Sequence, residues 1–150
     1  MNIAHDGVLA VHVAVGAGGL VAGVLAILAE RCPPYRSGAG AAYHWAVLAV
    51  ALSAAGLVAF DFSRLWWLLP LAALSYSLAL VGSLAPLLPL RWWVRAYAHG
   101  QGGSYIALVT ALLVVSLDGT AQTVAWFAPT LVGVPLIERR VASIRVGACR

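Results

Sequence analysis

The 150-residue chain contains no lysine, five acidic residues, two cysteines and one methionine. Charged residues make up 9% of it and hydrophobic ones 63%, whereas a soluble domain carries roughly a quarter charged. A chain this poor in charge cannot coat a water-facing surface, which excludes an ordinary globular domain. The cysteines, Cys32 and Cys149, form no C-x-x-C pair, so neither a disulfide framework nor a zinc site is indicated. The pI near 9.6 comes from nine arginines spread over the chain rather than gathered in a stripe. That pattern excludes nucleic acid as the partner and points to lipid phosphates. No Asp, Glu or Arg stands at the centre of a hydrophobic stretch, which argues against a pump or channel built on a mid-membrane carboxylate.

What the chain does have is five long uncharged runs, at 7–29, 37–60, 65–90, 96–117 and 119–137. Each is near the ~20 residues that a helix needs to cross ~30 Å of hydrocarbon. The expected fold is all-α, a polytopic membrane helix bundle forming one integral domain over 1–150. Its spans are placed at about 8–28, 43–60, 66–88, 102–117 and 121–137. The fifth is short and holds Pro129 and Pro135, so a kink is expected there. The first is read as a retained span rather than a cleavable signal, because Asp6 and no Lys or Arg precedes it.

With the N-terminus outside, the inner segments are 30–41, 91–100 and the tail from Glu138, and they carry eight of the nine arginines. Arg64 alone stays outside, with Asp6, Asp61 and Asp118. The positive-inside rule therefore sets the C-terminus in the cytoplasm. Trp66-Trp67 and Trp92-Trp93 flank span three as interfacial anchors. Gly19 and Gly23 of span one, and Ala42, Ala46, Ala49, Ser53 and Gly56 of span two, form small-residue stripes that predict close packing of the two helices.

Candidate chemistry falls in three layers. On the outer side His12 shares a helical face with Gly16, Gly19 and Gly23, and Asp61 and Asp118 lie at a similar depth. Such a His is either a general base or a hydrogen-bonding partner of the next helix. At mid-depth lie Ser53, Ser75, Tyr76 and Ser77, which suit helix-bridging hydroxyls. The inner layer is the densest: Arg36, Tyr43 and His44 enter span two, and Arg95, Tyr97, His99, Gln101, Ser104 and Tyr105 enter span four. His44 and His99 could ligate a haem b iron axially, with Arg36 or Arg95 on a propionate. Tyr43, Tyr105 and the same arginines could instead hold a quinone-like molecule or a lipid headgroup. One point of helix geometry opposes the haem pairing. His44 lies about 200° around the helix from the small stripe, so it faces away from the core if the stripe faces inward.

The stretch from His99-Gly-Gln-Gly-Gly-Ser-Tyr105 through Val115, followed by Ala128-Pro-Thr-Leu-Val-Gly-Val-Pro-Leu-Ile137, resembles a family of small bacterial multi-pass membrane proteins catalogued as a domain of unknown function. The family pattern has a His early in span one, matched by His12, and an H-R-x-x-G-R-x-Y segment entering span two. Here Gly40 and Tyr43 fit that segment, while Arg36 replaces its His and Ser37 and Ala41 replace its arginines. The resemblance implies a topology and a bacterial cytoplasmic membrane, and no activity.

Three functions remain open at this stage. One is a bundle that holds a small lipophilic ligand or cofactor, haem b or quinone-like, as a redox subunit. Another is a cofactor-free enzyme doing acid–base chemistry on a terpenoid-like substrate with His12, Asp61 and Asp118. The third is an accessory subunit, either a homo-oligomer or part of a larger membrane complex.

Overall fold

The structure, a computed structural model, describes residues 3–29, 38–87 and 92–143. Six α-helices follow in order: α1 (Ile3–Ala29), α2 (Gly38–Phe60), α3 (Phe62–Leu65), α4 (Leu68–Leu84), α5 (Trp93–Ser116) and α6 (Gly119–Ser143). There are no strands among the described residues, and five of the helices are long and apolar enough to cross a membrane. The chain is a multi-pass membrane helix bundle. Its outward surface is apolar between the two ends, with Val21, Leu52, Leu74, Val115 and Leu131 all exposed. In water such a surface would aggregate, whereas in lipid it is solvated.

The helix boundaries follow from local chemistry. Asp61 breaks α2 from α3 and caps the short helix, accepting from the Arg64 backbone N–H at 3.3 Å and from Ser63 Oγ at 2.9 Å. Pro70 falls in the first turn of α4, where its missing N–H would have had no helical partner. At the far end, Pro86 has no N–H to give the carbonyl four residues back, and α4 tightens into a 3-10 turn over Ala85–Leu87. With that turn the span reaches about 30 Å at ~1.5 Å per α-helical residue. Between α5 and α6, Leu117 is extended and Gly119 sits at φ +62°, a conformation that favours glycine. Gln122 Nε2 then donates to the Val114 carbonyl at 2.9 Å, filling one of the acceptors left open at the end of α5.

Helices α1, α2, α4 and α5 close into an antiparallel ring, each packed on the next, with α5 returning to touch α1. The core is built on Tyr43 and Val47 of α2, Ala79 of α4 and Leu108 of α5. Helix α6 packs on α5, outside this ring. Missing side chains set the approach distances. A Cβ on Gly19 would lie 3.3 Å from Ala46 Cβ, so the span-two stripe does face α1. Gly23 leaves the space that the Tyr105 ring fills. Gly82 and Gly100 bring the backbones of α4 and α5 together.

Two expected boundaries are corrected. Span four begins at Trp93 rather than near Gly102, because Gly100, Gly102 and Gly103 are helical and serve as packing sites against Gly82, Ile137 and Leu78. The fifth span is not short: α6 has 25 residues and runs as helix through both prolines.

Candidate functional site

A cavity of about 410 Å³ lies at the end of the bundle where α1 finishes and α2 begins. Helical spacing on four elements builds it. Gly23 and Ile27 come from α1, Gly40 and Tyr43 from α2, and residues 97–109 of α5 contribute one side of that helix. The α6 wall is Pro129, Val132, Gly133, Leu136, Ile137 and Arg140, again one helical face. Among the described residues the lining is almost wholly apolar, with the polar exceptions being three tyrosines (43, 97 and 105), Gln101 and Arg140. This is the usual character of a small-molecule site, apolar walls with a few convergent polar groups.

Tyr43 is held in place by its own hydrogen bond. Its hydroxyl donates to Ser104 Oγ on α5 at 3.0 Å, and both residues are fully buried. The ring stands 6.4 Å from that of Tyr105, centroid to centroid. Tyr43 and Tyr105 of the inner layer are therefore brought together on the cavity wall. Arg36 lies outside the described residues.

The inner-layer histidines are placed elsewhere. His44 faces α4: its Nδ1 is 3.0 Å from Ser83 Oγ, and its ring packs against Tyr76 and Trp45. Ser83 Oγ also donates to the Ala79 carbonyl at 2.9 Å and accepts from Gln101 Nε2 at 3.3 Å. One hydroxyl proton serves one of these acceptors, so with it on Ala79 the His44 Nδ1 is the donor. Gln101 Oε1 is buried beside this group without a protein donor. His99 faces α6, with Nε2 3.1 Å from Glu138 Oε1, and Arg95 reaches the other oxygen of Glu138 at 3.4 Å. Neither imidazole lines the cavity, and the two occupy different helix interfaces. The residues present do not fit a haem held between His44 and His99, and Arg95 is committed to Glu138 rather than to the cavity.

The outer layer is also divided. His12 Nδ1 meets Ser53 Oγ at 2.8 Å, and the Ser53 proton is directed at the Ala49 and Val50 carbonyls. His12 is thus the donor, a bridge between α1 and α2. It borders a separate space of about 50 Å³ together with Ser75. Asp61 is spent on capping α3, and Asp118 is exposed in the α5–α6 turn. No described hydrogen bond joins either aspartate to His12, so the structure does not assemble the expected acid–base trio. Among the described residues, no three His, Cys, Asp or Glu side chains are grouped as a metal site.

Arg140 is the cavity residue that sequence reasoning missed as a site. It was legible only as an orienting charge, although Gly133, Ile137 and Arg140 repeat at helical spacing. Tyr97 and Gln101 carry no assigned role in the sequence, and the structure sets both on the cavity wall. Glu138 was missed as the partner of Arg95 and His99, which stand four apart on α5 once the helix is known to start at Trp93.

Comparison with known proteins gives no match to a family model, to a curated protein or to a solved structure.

Proposed function

We propose that this protein holds a small lipophilic ligand of quinone-like character in the cavity bounded by α1, α2, α5 and α6. The observation that carries the reading is the cavity itself. Its volume of about 410 Å³ and its apolar walls match the ~300–1,000 Å³ of small-molecule pockets. The hydrogen-bonding groups it offers, tyrosine hydroxyls and an arginine, suit the carbonyl or hydroxyl oxygens of such a ligand. A quinone bound there would make the bundle a redox subunit. Haem is not part of the proposal, because no histidine reaches the cavity.

The protein is further proposed to sit in a bacterial cytoplasmic membrane with its N-terminus outside. The arginine asymmetry supports this orientation, which puts the cavity in the cytoplasmic half of the bilayer. Cys32 and Cys149 should then react with an impermeant maleimide in inside-out vesicles and stay protected in spheroplasts.

The test of binding is titration of detergent-purified protein with decylubiquinone, read by native mass spectrometry. The wild type should retain one molecule, and Val132→Trp, which fills the cavity from α6, should retain none. Equal retention by the two proteins would overturn the assignment to this cavity.

A further inference from the structure

The polarity of the cavity is lopsided. Among the described side chains that line it there is one cation, Arg140, and no anion. Arg140 lies near the end of α6, and Tyr97, in the second turn of α5, stands on the same end of the cavity. Moving away from Arg140 along α6, the wall passes through Ile137, Leu136, Val132 and Pro129. At ~1.5 Å per residue the apolar stretch from Ile137 to Pro129 is roughly 12 Å long. Ile106 and Val109 of α5 face the same stretch, and Ile27 of α1 closes the end nearer the arginine.

Such a site distinguishes ligands by their ends. The apolar stretch accepts a hydrocarbon chain of any lipid. The arginine end favours an anionic oxygen group, because a guanidinium binds carboxylate or phosphate through parallel charge-assisted hydrogen bonds. A guanidinium has five N–H donors, so an anion adds to the interaction Arg140 already has within the protein.

We propose that the cavity takes a single-chain anionic amphiphile, its carboxylate or phosphate head on Arg140 beside Tyr97 and its chain directed towards Val109 and Pro129. This rests on the cavity being a ligand site and names a second ligand class for it, one that would compete with a quinone for the same space.

The experiment uses the full chain in non-ionic detergent and three probes that share one C18 chain: oleic acid, oleoyl lysophosphatidic acid and oleyl alcohol. Dissociation constants are read by native mass spectrometry titration. At least one acid should bind about ten-fold or more tightly than the alcohol, the effect of a hydrogen bond to a charged partner. Arg140→Gln should bring that acid down to the level of the alcohol, while Arg140→Lys keeps part of the preference. Retained binding of the alcohol by Arg140→Gln reports that the variant is folded. Which acid binds tighter tells whether the head is a free fatty carboxylate or a lipid phosphate.

The inference is overturned if the alcohol binds the wild type as tightly as both acids, or if Arg140→Gln leaves the acid affinities unchanged. In either case the cavity remains a ligand site. Binding of none of the three probes, or binding that Val132→Trp does not affect, would remove the cavity reading as well.

Discussion

Gly82 and Gly100 place the backbones of α4 and α5 in direct contact: a Cβ built on Gly100 would stand 2.6 Å from the Gly82 Cα and 2.7 Å from the Leu78 carbonyl oxygen. The three atoms nearest that Cβ all belong to backbone, so the two helices themselves would have to separate. Close backbone approach through small residues replaces the hydrophobic effect as a source of helix association in lipid.

Gly100→Val and Gly82→Val are therefore expected to destabilise the folded protein by about 1–3 kcal/mol, the scale of overpacking. Gly18→Ala is the control, since a Cβ there meets nothing within 4 Å. Denaturation in mixed detergent micelles, followed by circular dichroism, should separate the two groups. A loss for Gly18→Ala as large as that for Gly100→Val would contradict the account.

The Tyr43–Ser104 hydrogen bond offers a second measurement. Tyr43→Phe and Ser104→Ala each remove one partner of a buried pair that joins α2 to α5. A double-mutant cycle should give a coupling of about 0.6 kcal/mol and no more than about 1.7, the average and maximum for side-chain hydrogen bonds between membrane helices. A coupling near zero would mean that the bond contributes nothing to joining the helices.

The Arg95–Glu138–His99 group is expected to matter much less. Glu138 is about half exposed and Arg95 more so, and exposed ion pairs contribute roughly 0–1 kcal/mol. Glu138→Gln should lower stability by less than 1 kcal/mol, with the difference shrinking as salt is raised. A large effect that salt does not touch would show that this end of α5–α6 is drier than its exposure indicates.

The histidines separate the ligand readings. His44→Ala and His99→Ala should change decylubiquinone binding less than about two-fold, because neither imidazole lines the cavity. The purified protein should show no Soret band. A Soret band lost in both variants would restore the haem pairing that the geometry disfavours.

The five spans were readable from charge alone, because the bilayer forbids charge along a span and the chain obeys that rule in every run. The face of α2 that meets α1 was readable too, since Ala46, Ala49 and Ser53 recur at helical spacing. The start of α5 was not. Gly100, Gly102 and Gly103 look like a turn in one dimension, and only the neighbours pressed against them explain why they are helical. The same error hid Glu138, whose partners fall on one face only after α5 is extended back to Trp93. Tyr43 and Tyr105 were readable as a layer, while their shared cavity depends on Gly23, which sequence presents as one more packing glycine. The separation of His44 from His99 was half visible, in the angle between His44 and the small stripe.

Helix α6 has a consequence for traffic rather than for stability. The four-helix ring carries the core, and α6 is fastened to it along α5, through a two-residue turn at Leu117 and Asp118, and by Trp126 against Trp67 at the start of α4. One wall of the cavity is thus a helix that stands outside the ring carrying the core. The cavity lies between this outer helix and the ring, so its α6 wall is backed by the bilayer and not by a further described helix, while Val47, Ala79 and Leu108 sit within the ring. A molecule already dissolved in the membrane could enter there without passing through water.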